Sequence, residues 1–149
     1  MIKGLFETHL FVSELNKSID FYCQILNLKL AHVEPERGAA FFWIGKPKQA
    51  MLGLWEKPKE QIVPSHFAFE TSPEFVLHEA VPFLNSKGIE ARNFFKDGSS
   101  IPMVFAWLPA ISIYFDDPDG HSLEYIGLLE GDSQPDLGVV SYETWQNSL

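Results

Sequence analysis

The strongest constraint on this chain is that its pattern of elements occurs twice. Residues 4–12 read as a strand. Behind Ser13, a helix-capping residue, Leu15, Ile19, Tyr22 and Leu26 recur at helical spacing and predict a helix over 15–26. Strands are predicted at 28–34, 39–44 and 50–55, parted by turns at Pro35-Glu36-Arg37-Gly38 and Gly45-Lys46-Pro47. Residues 57–64, with Pro58 and Pro64, read as a linker, and the pattern then restarts. A strand at 65–70 leads to Ser72 as helix cap and Pro73 at the first helical position. The helix runs to about Ser86, with Gly88 just beyond it. Pro82 lies inside that helix and should kink it. Strands follow at 89–94, 111–115 and 122–128, the last two forming a hairpin about Asp117-Pro118-Asp119-Gly120. The duplication predicts an α+β fold of two tandem βαβββ modules forming a cupped mixed sheet. Its expected anatomy is a single domain over 1–149: module one 4–56, linker 57–64, module two 65–128 and a C-terminal tail 129–149.

Composition narrows the function classes. The net charge is −9, from 20 acidic and 11 basic residues, which disfavours a nucleic-acid partner. One cysteine, Cys23, permits no intrachain disulfide and agrees with a reducing compartment. No apolar run approaches membrane-spanning length, and residues 1–4 lead directly into a strand pattern, so a cytoplasmic protein without membrane contact is expected.

Three polar residues sit inside apolar strand runs: His9, His66 and Glu124. Strand side chains alternate faces, so His9 shares its face with Glu7 and Phe11, His66 with Ala68 and Glu70, and Glu124 with Ser122 and Ile126. Two histidines and a carboxylate form the ligand set of an open divalent-metal site, although a lone strand histidine is more often a satisfied structural residue. His9 and His66 read as equivalent positions, each on the strand before its module's helix. In the fourth strands, Leu52-Gly53-Leu54-Trp55 aligns with Leu123-Glu124-Tyr125-Ile126, so Gly53 stands where Glu124 stands.

Three segments carry a family resemblance: His9-Leu10-Phe11-Val12-Ser13-Glu14-Leu15-Asn16-Lys17-Ser18-Ile19-Asp20-Phe21-Tyr22, then His66-Phe67-Ala68-Phe69, then the run from Tyr114 through Asp117-Pro118-Asp119-Gly120 to Glu124. Across residues 4–128 the chain resembles the vicinal oxygen chelate superfamily, which includes glyoxalase I, fosfomycin resistance proteins, extradiol dioxygenases and bleomycin resistance proteins. The resemblance implies metal ligation by His9, His66 and Glu124, with one divalent ion of Fe, Mn, Ni, Co or Zn as cofactor. It also implies a homodimer.

The resemblance leaves the reaction class open. Glyoxalase I adds a fourth ligand at the position of Gly53, which has no side chain to give. Glu56 is three residues on, faces the other way, and reads as a solvated charge beside Lys57 and Lys59. Fosfomycin resistance proteins surround their metal with basic and hydroxyl groups; here Phe11 replaces their threonine, and Lys96 is the only basic residue in 93–149. Tyr114 has the ten-residue spacing to Glu124 of the extradiol signature, but the histidine that signature wants before it is missing. Bleomycin resistance proteins lack the metal trio, although an acidic, aromatic-rich chain suits a cationic aromatic drug.

The expectation is a metal-dependent lyase, isomerase or dioxygenase acting on a small, mainly apolar or aromatic oxygen-chelating substrate. Glu124 and Tyr114 are the candidate catalytic groups. Phe11, Trp43, Met51, Trp55, Phe105 and Trp107 are the candidate substrate-binding residues, the last two on an apolar 95–110 excursion read as a lid or pocket wall. The alternative is a protein that binds and sequesters a small molecule. His32, His78, His121 and Cys23 read as structural.

Overall fold

The computed structural model describes residues 1–149 and divides into two compact units. Unit one is Met1–Ser65 with Asp117–His121; unit two is His66–Asp116 with Ser122–Leu149. Each is built on its own mixed sheet, and no helix is long and apolar enough to cross a membrane.

Unit one contains β1 (Glu7–Val12), β2 (Lys29–Glu34), β3 (Ala39–Ile44) and β4 (Ala50–Glu56), in the order β1-β4-β3-β2. β1 and β4 are parallel, which demands a crossover. The helix α1 (Leu15–Asp20) and a π-helical turn, Phe21–Ile25, begin that crossover. Alternation sends Leu10, Val12, Phe42, Leu52 and Leu54 into the core with Leu15, Phe21 and Tyr22, all buried. The opposite face carries His9, Phe11, Phe41, Trp43, Met51 and Trp55.

Two polar expectations change here. Ser13 does not cap α1; its backbone N–H and hydroxyl donate to Asp119 at 3.0 and 2.5 Å. Glu56 takes the capping role from a distance, its Oε2 accepting from the Leu15 N–H at 2.7 Å, so it is not merely a solvated charge. The segment Asp117–His121 is equally engaged. Asp117 accepts from the Tyr22 hydroxyl at 2.8 Å and from the N–H groups of Asp119 and His121. His121 is fully buried. Its Nδ1 accepts from the Ser65 N–H at 2.9 Å, so Nε2 carries the proton and donates to the Phe11 carbonyl at 2.7 Å.

Unit two contains β5 (His66–Thr71), β6 (Met103–Phe105), β7 (Ala110–Asp116), β8 (Ser122–Leu128) and β9 (Val139–Ser141), in the order β5-β8-β7-β6-β9. β5 and β8 are parallel, as β1 and β4 are. Ser72 caps the following helix, accepting from the Phe75 N–H at 3.1 Å. That helix breaks into a π-helical turn, Phe75–Glu79, and α2 (Ala80–Ser86), with Pro82 two residues past the break.

The sequence reading differs from the structure at two places in unit two. Residues 89–94 form no strand, only a bridge between Arg92 and Tyr114; the second strand of this unit in chain order is instead Met103–Phe105. The tail 129–149 adds β9 beside β6 and ends in α3 (Tyr142–Gln146), whose Trp145 is fully enclosed. A three-residue strand and a five-residue helix are too short to show a period.

Strand register also revises the duplication by two residues. β1 and β5 are each six residues long, beginning at Glu7 and His66. Tyr114 pairs with Glu124 and Phe41 with Gly53, so Gly53 remains the counterpart of Glu124. In the parallel pairs, however, Gly53 lies beside His9 while Glu124 lies beside Ala68. The counterpart of His66 is therefore Glu7, and that of His9 is Ala68.

Candidate metal and substrate site

In unit two, pairing brings two rows of side chains to one face: Asp116, Ser122 and His66, and beside them Arg92, Tyr114, Glu124 and Ala68. His66 Nε2 lies 3.2 Å from Glu124 Oε2. His66 Nδ1 lies 2.8 Å from the Ser122 carbonyl, an acceptor, so Nδ1 carries a proton. The neutral ring thus aims a lone pair at a carboxylate, and a second proton or a cation must sit between them.

Glu124 is buried, and its Oε1 has no hydrogen-bond partner. Burial pushes its carboxyl above the usual range; the neighbouring Ser112, His66 and Tyr114 pull it back only in part. The Tyr114 ring lies 5.8 Å from that of His66. Burial first, and then the Glu124 charge, push its hydroxyl up to about 12, so it stays a proton donor near neutral pH.

The same face borders a cavity of about 330 Å³ lined by His66, Arg92, Phe94, Lys96 and Tyr114 among others. Arg92 Nη2 is held by Asp116 at 2.8 Å and donates to the Ser122 hydroxyl at 2.9 Å. Buried Asn93 shapes the next turn, its Oδ1 accepting from the N–H groups of Phe95 and Lys96 at 2.9 and 3.1 Å. Lys96 is held there with φ +53°, an uncommon conformation for a residue with a Cβ. Sequence reasoning weighed Lys96 only as the sole basic residue in 93–149 and assigned neither cation to the site. The available signal was that Arg92 and Lys96 are the only basic residues in the last 58, against nine acidic ones.

In unit one the His9 ring leans over Gly53. A Cβ at residue 53 would lie 2.6 Å from His9 Cδ2, 3.0 Å from Nε2 and 3.1 Å from Phe41 Cε1. His9 Nε2 lies 3.1 Å from Glu7 Oε1. The rings of Phe41 and Trp55 stand 6.2 and 5.8 Å from the imidazole, and the Arg37 guanidinium lies 4.8 Å over Trp55. Gly53→Ala should therefore displace the His9 ring at a cost of about 1 kcal/mol, because the ring is half-exposed and free to swing. His9 ring resonances that keep their wild-type chemical shifts in the variant would refute this contact.

The structure brings His66 and Glu124 together and places His9 in the other unit. Nowhere do three His, Cys, Asp or Glu side chains cluster closely enough to hold an ion. Phe11, Trp43, Met51 and Trp55 share the His9 face. Phe105 shares the Tyr114 face and meets Phe94 edge-on at 5.2 Å. Trp107 is 59% exposed and does not line the cavity.

Residues 4–125 match the model of the Glyoxalase/Bleomycin resistance protein/Dioxygenase superfamily. The chain belongs to this superfamily. Among solved structures, an integron cassette protein from the mobile metagenome of a Halifax Harbour sewage outfall is 32% identical, with a TM-score of 0.71 over 85% of this chain and 100% of that one. A glyoxalase/bleomycin resistance protein/dioxygenase from Nocardioides is 27% identical, with a TM-score of 0.64 over 89% of this chain and 88% of that one. The fosfomycin resistance protein FosX from Listeria monocytogenes, complexed with Mn(II) and sulfate, is 26% identical, with a TM-score of 0.65 over 87% of this chain and 93% of that one. The resemblance read from the sequence to this superfamily, and the α+β fold it implied, are thus borne out. The superfamily's Asp117-Pro118-Asp119-Gly120 segment and its opening motif meet each other here: Asp117 holds Tyr22, Asp119 holds Ser13, and His121 holds the Phe11 carbonyl. These residues serve the fold.

Proposed function

We propose that the chain is a divalent-metal-dependent enzyme of the glyoxalase/dioxygenase superfamily, with His66 and Glu124 as ligands of the ion. Its substrate is a small, mainly apolar or aromatic molecule presenting adjacent oxygens. The observation that carries this reading is the His66–Glu124 pair, in which an imidazole lone pair and a carboxylate face each other at 3.2 Å and a buried second oxygen has no partner. Such a pair suits a cation. The donor set is suited to Fe, Mn, Ni, Co or Zn, and the Mn(II) in the FosX structure agrees with that choice.

When bound, such an ion supplies Lewis acidity toward adjacent substrate oxygens, the need shared by lyase, isomerase and oxygen-inserting chemistry. The chain's own groups have separable tasks. The Ser122 carbonyl holds His66 in the tautomer that leaves Nε2 free. Tyr114, protonated, donates toward an oxygen that gains charge. Arg92 and Lys96 give the cavity the positive lining an anionic intermediate needs in an otherwise acidic chain. Phe94 and Phe105 supply an apolar wall.

A second reading, sequestration of a cationic aromatic molecule, draws on the aromatic face of unit one and the net charge of −9. Metal analysis separates the two. Protein purified without a histidine tag should carry near-stoichiometric metal, and His66→Ala should lose it. Failure to take up any of the five candidate ions would sink the enzyme reading. Ligand uptake indifferent to chelators would favour the second.

A further inference from the structure

We propose that the substrate is a small aromatic carboxylate, a monoanion whose charged end is held by Arg92 and Lys96. The inference rests on the reading of the unit-two cavity as the substrate site. It goes beyond that reading by placing a negative charge on the substrate itself, before any reaction.

Three observations carry it, all within unit two. The first is unused donor capacity. The Arg92 side chain is only 22% exposed. Its guanidinium has five N–H groups. Nη2 meets Asp116 Oδ1 at 2.8 Å and the Ser122 hydroxyl at 2.9 Å, while Nε and Nη1 have no protein partner. Ser122 accepts from Arg92, so its own proton is free to donate. The Lys96 ammonium makes no ion pair, and the adjacent Asp97 turns instead to the Ser99 N–H at 2.9 Å.

The second is charge balance. No acidic residue lines the cavity. Arg92 and Lys96 bring two positive charges, and Asp116 offsets one of them, which leaves one. A single unmatched cation suits a carboxylate, which carries one negative charge at neutral pH. A phosphonate brings up to two. In a chain of net charge −9, a local positive surplus draws an anion that the rest of the surface repels. The third is size and wall. The cavity, about 330 Å³, is near the small end of the range that holds small molecules. Phe94 lines it two residues before Lys96, its ring set edge-on to Phe105 at 5.2 Å. An aromatic ring packed on Phe94 leaves the carboxylate to the two cations.

The test uses tag-free, full-length protein stripped of metal and then freed of chelator, itself a polycarboxylate. Phenylacetate, its neutral isostere phenylacetamide, the cation phenethylamine and benzylphosphonate are titrated by calorimetry. Phenylacetate should bind about tenfold more tightly than the amide and the amine. It should also outbind the phosphonate, and its advantage over the amide should shrink with added salt. Lys96→Met should abolish the preference for phenylacetate over the amide without changing Tm, and Lys96→Arg should keep it. The inference is overturned by undetectable phenylacetate binding, by an amide or amine that binds as tightly, by a tighter phosphonate, or by a preference that survives Lys96→Met. Mn(II) uptake by the same preparations separates the two readings. If Mn(II) binds and His66→Ala loses it while phenylacetate shows no preference, this inference falls and the metal reading stands. If the preference holds and Mn(II) does not bind, the metal reading falls alone.

Discussion

Glu124→Gln is expected to weaken metal binding by about 100-fold, while the metal-free variant melts about 2–4 °C higher than wild type at neutral pH, the shift that ~1 kcal/mol produces in a chain of this size. The two effects share one cause. Burial raises the Glu124 carboxyl above its ordinary 4.5, so folding favours the neutral form. That stabilisation is fully present below about pH 4.5 and is lost as the pH climbs through the raised value. Above it, the metal-free fold carries a buried anion with one unpartnered oxygen. Glutamine carries no such charge but gives the ion a poor ligand. The difference in Tm should therefore widen from about pH 4 to pH 7 in melts run with chelator. A lower Tm for the variant at neutral pH, or unchanged metal affinity, would refute the assignment of Glu124 as an electrostatically costly ligand.

Trp145→Ala should be the most destabilising single change outside the sheets, at about 3–5 kcal/mol in urea denaturation. Trp145 is 1% exposed although it lies four residues before Leu149. Its ring packs so closely on Gly131 that a Cβ there would stand 3.0 Å from Trp145 Cζ2. The tail is further tied to unit two by Gln134 N–H to the Ala106 carbonyl at 2.8 Å and by Ala106 N–H to the Gly138 carbonyl at 3.0 Å. A loss below about 1 kcal/mol would mean that the tail is dispensable for stability.

These predictions bear on opposite failures of sequence reading. For Trp145 the pattern held too little: the tail's elements bury their apolar residues only because β6 is already there to receive β9. His121 read as structural from the sequence, but the pattern did not show what holds it. Here both nitrogens are paired to backbone groups within unit one, and the ring is buried. Residues 89–94 have strand composition but make one bridge. The buried Asn93 caps the following turn there and diverts the chain.

The metal candidates divide in the same way. That His66 and Glu124 were unusual was visible in the chain, because a period-two apolar run has little use for an imidazole or a carboxylate. Arg92 and Lys96 count in the sequence only as a scarcity of basic residues; a turn and a bridge set both at one cavity.

The sequence by itself determined the superfamily, the twofold βαβββ plan, and the faces of the strands, because alternation and helix periodicity are local and survive in one dimension. Only tertiary structure decided which residues are counterparts. Register depends on hydrogen bonds between strands some 44 or 56 residues apart, as between His9 and Gly53 or His66 and Ser122. A two-residue shift keeps every side chain on its face, so no pattern of polarity reports it. That shift separates His9 from His66 as equivalents and sets Glu7 as the counterpart of His66.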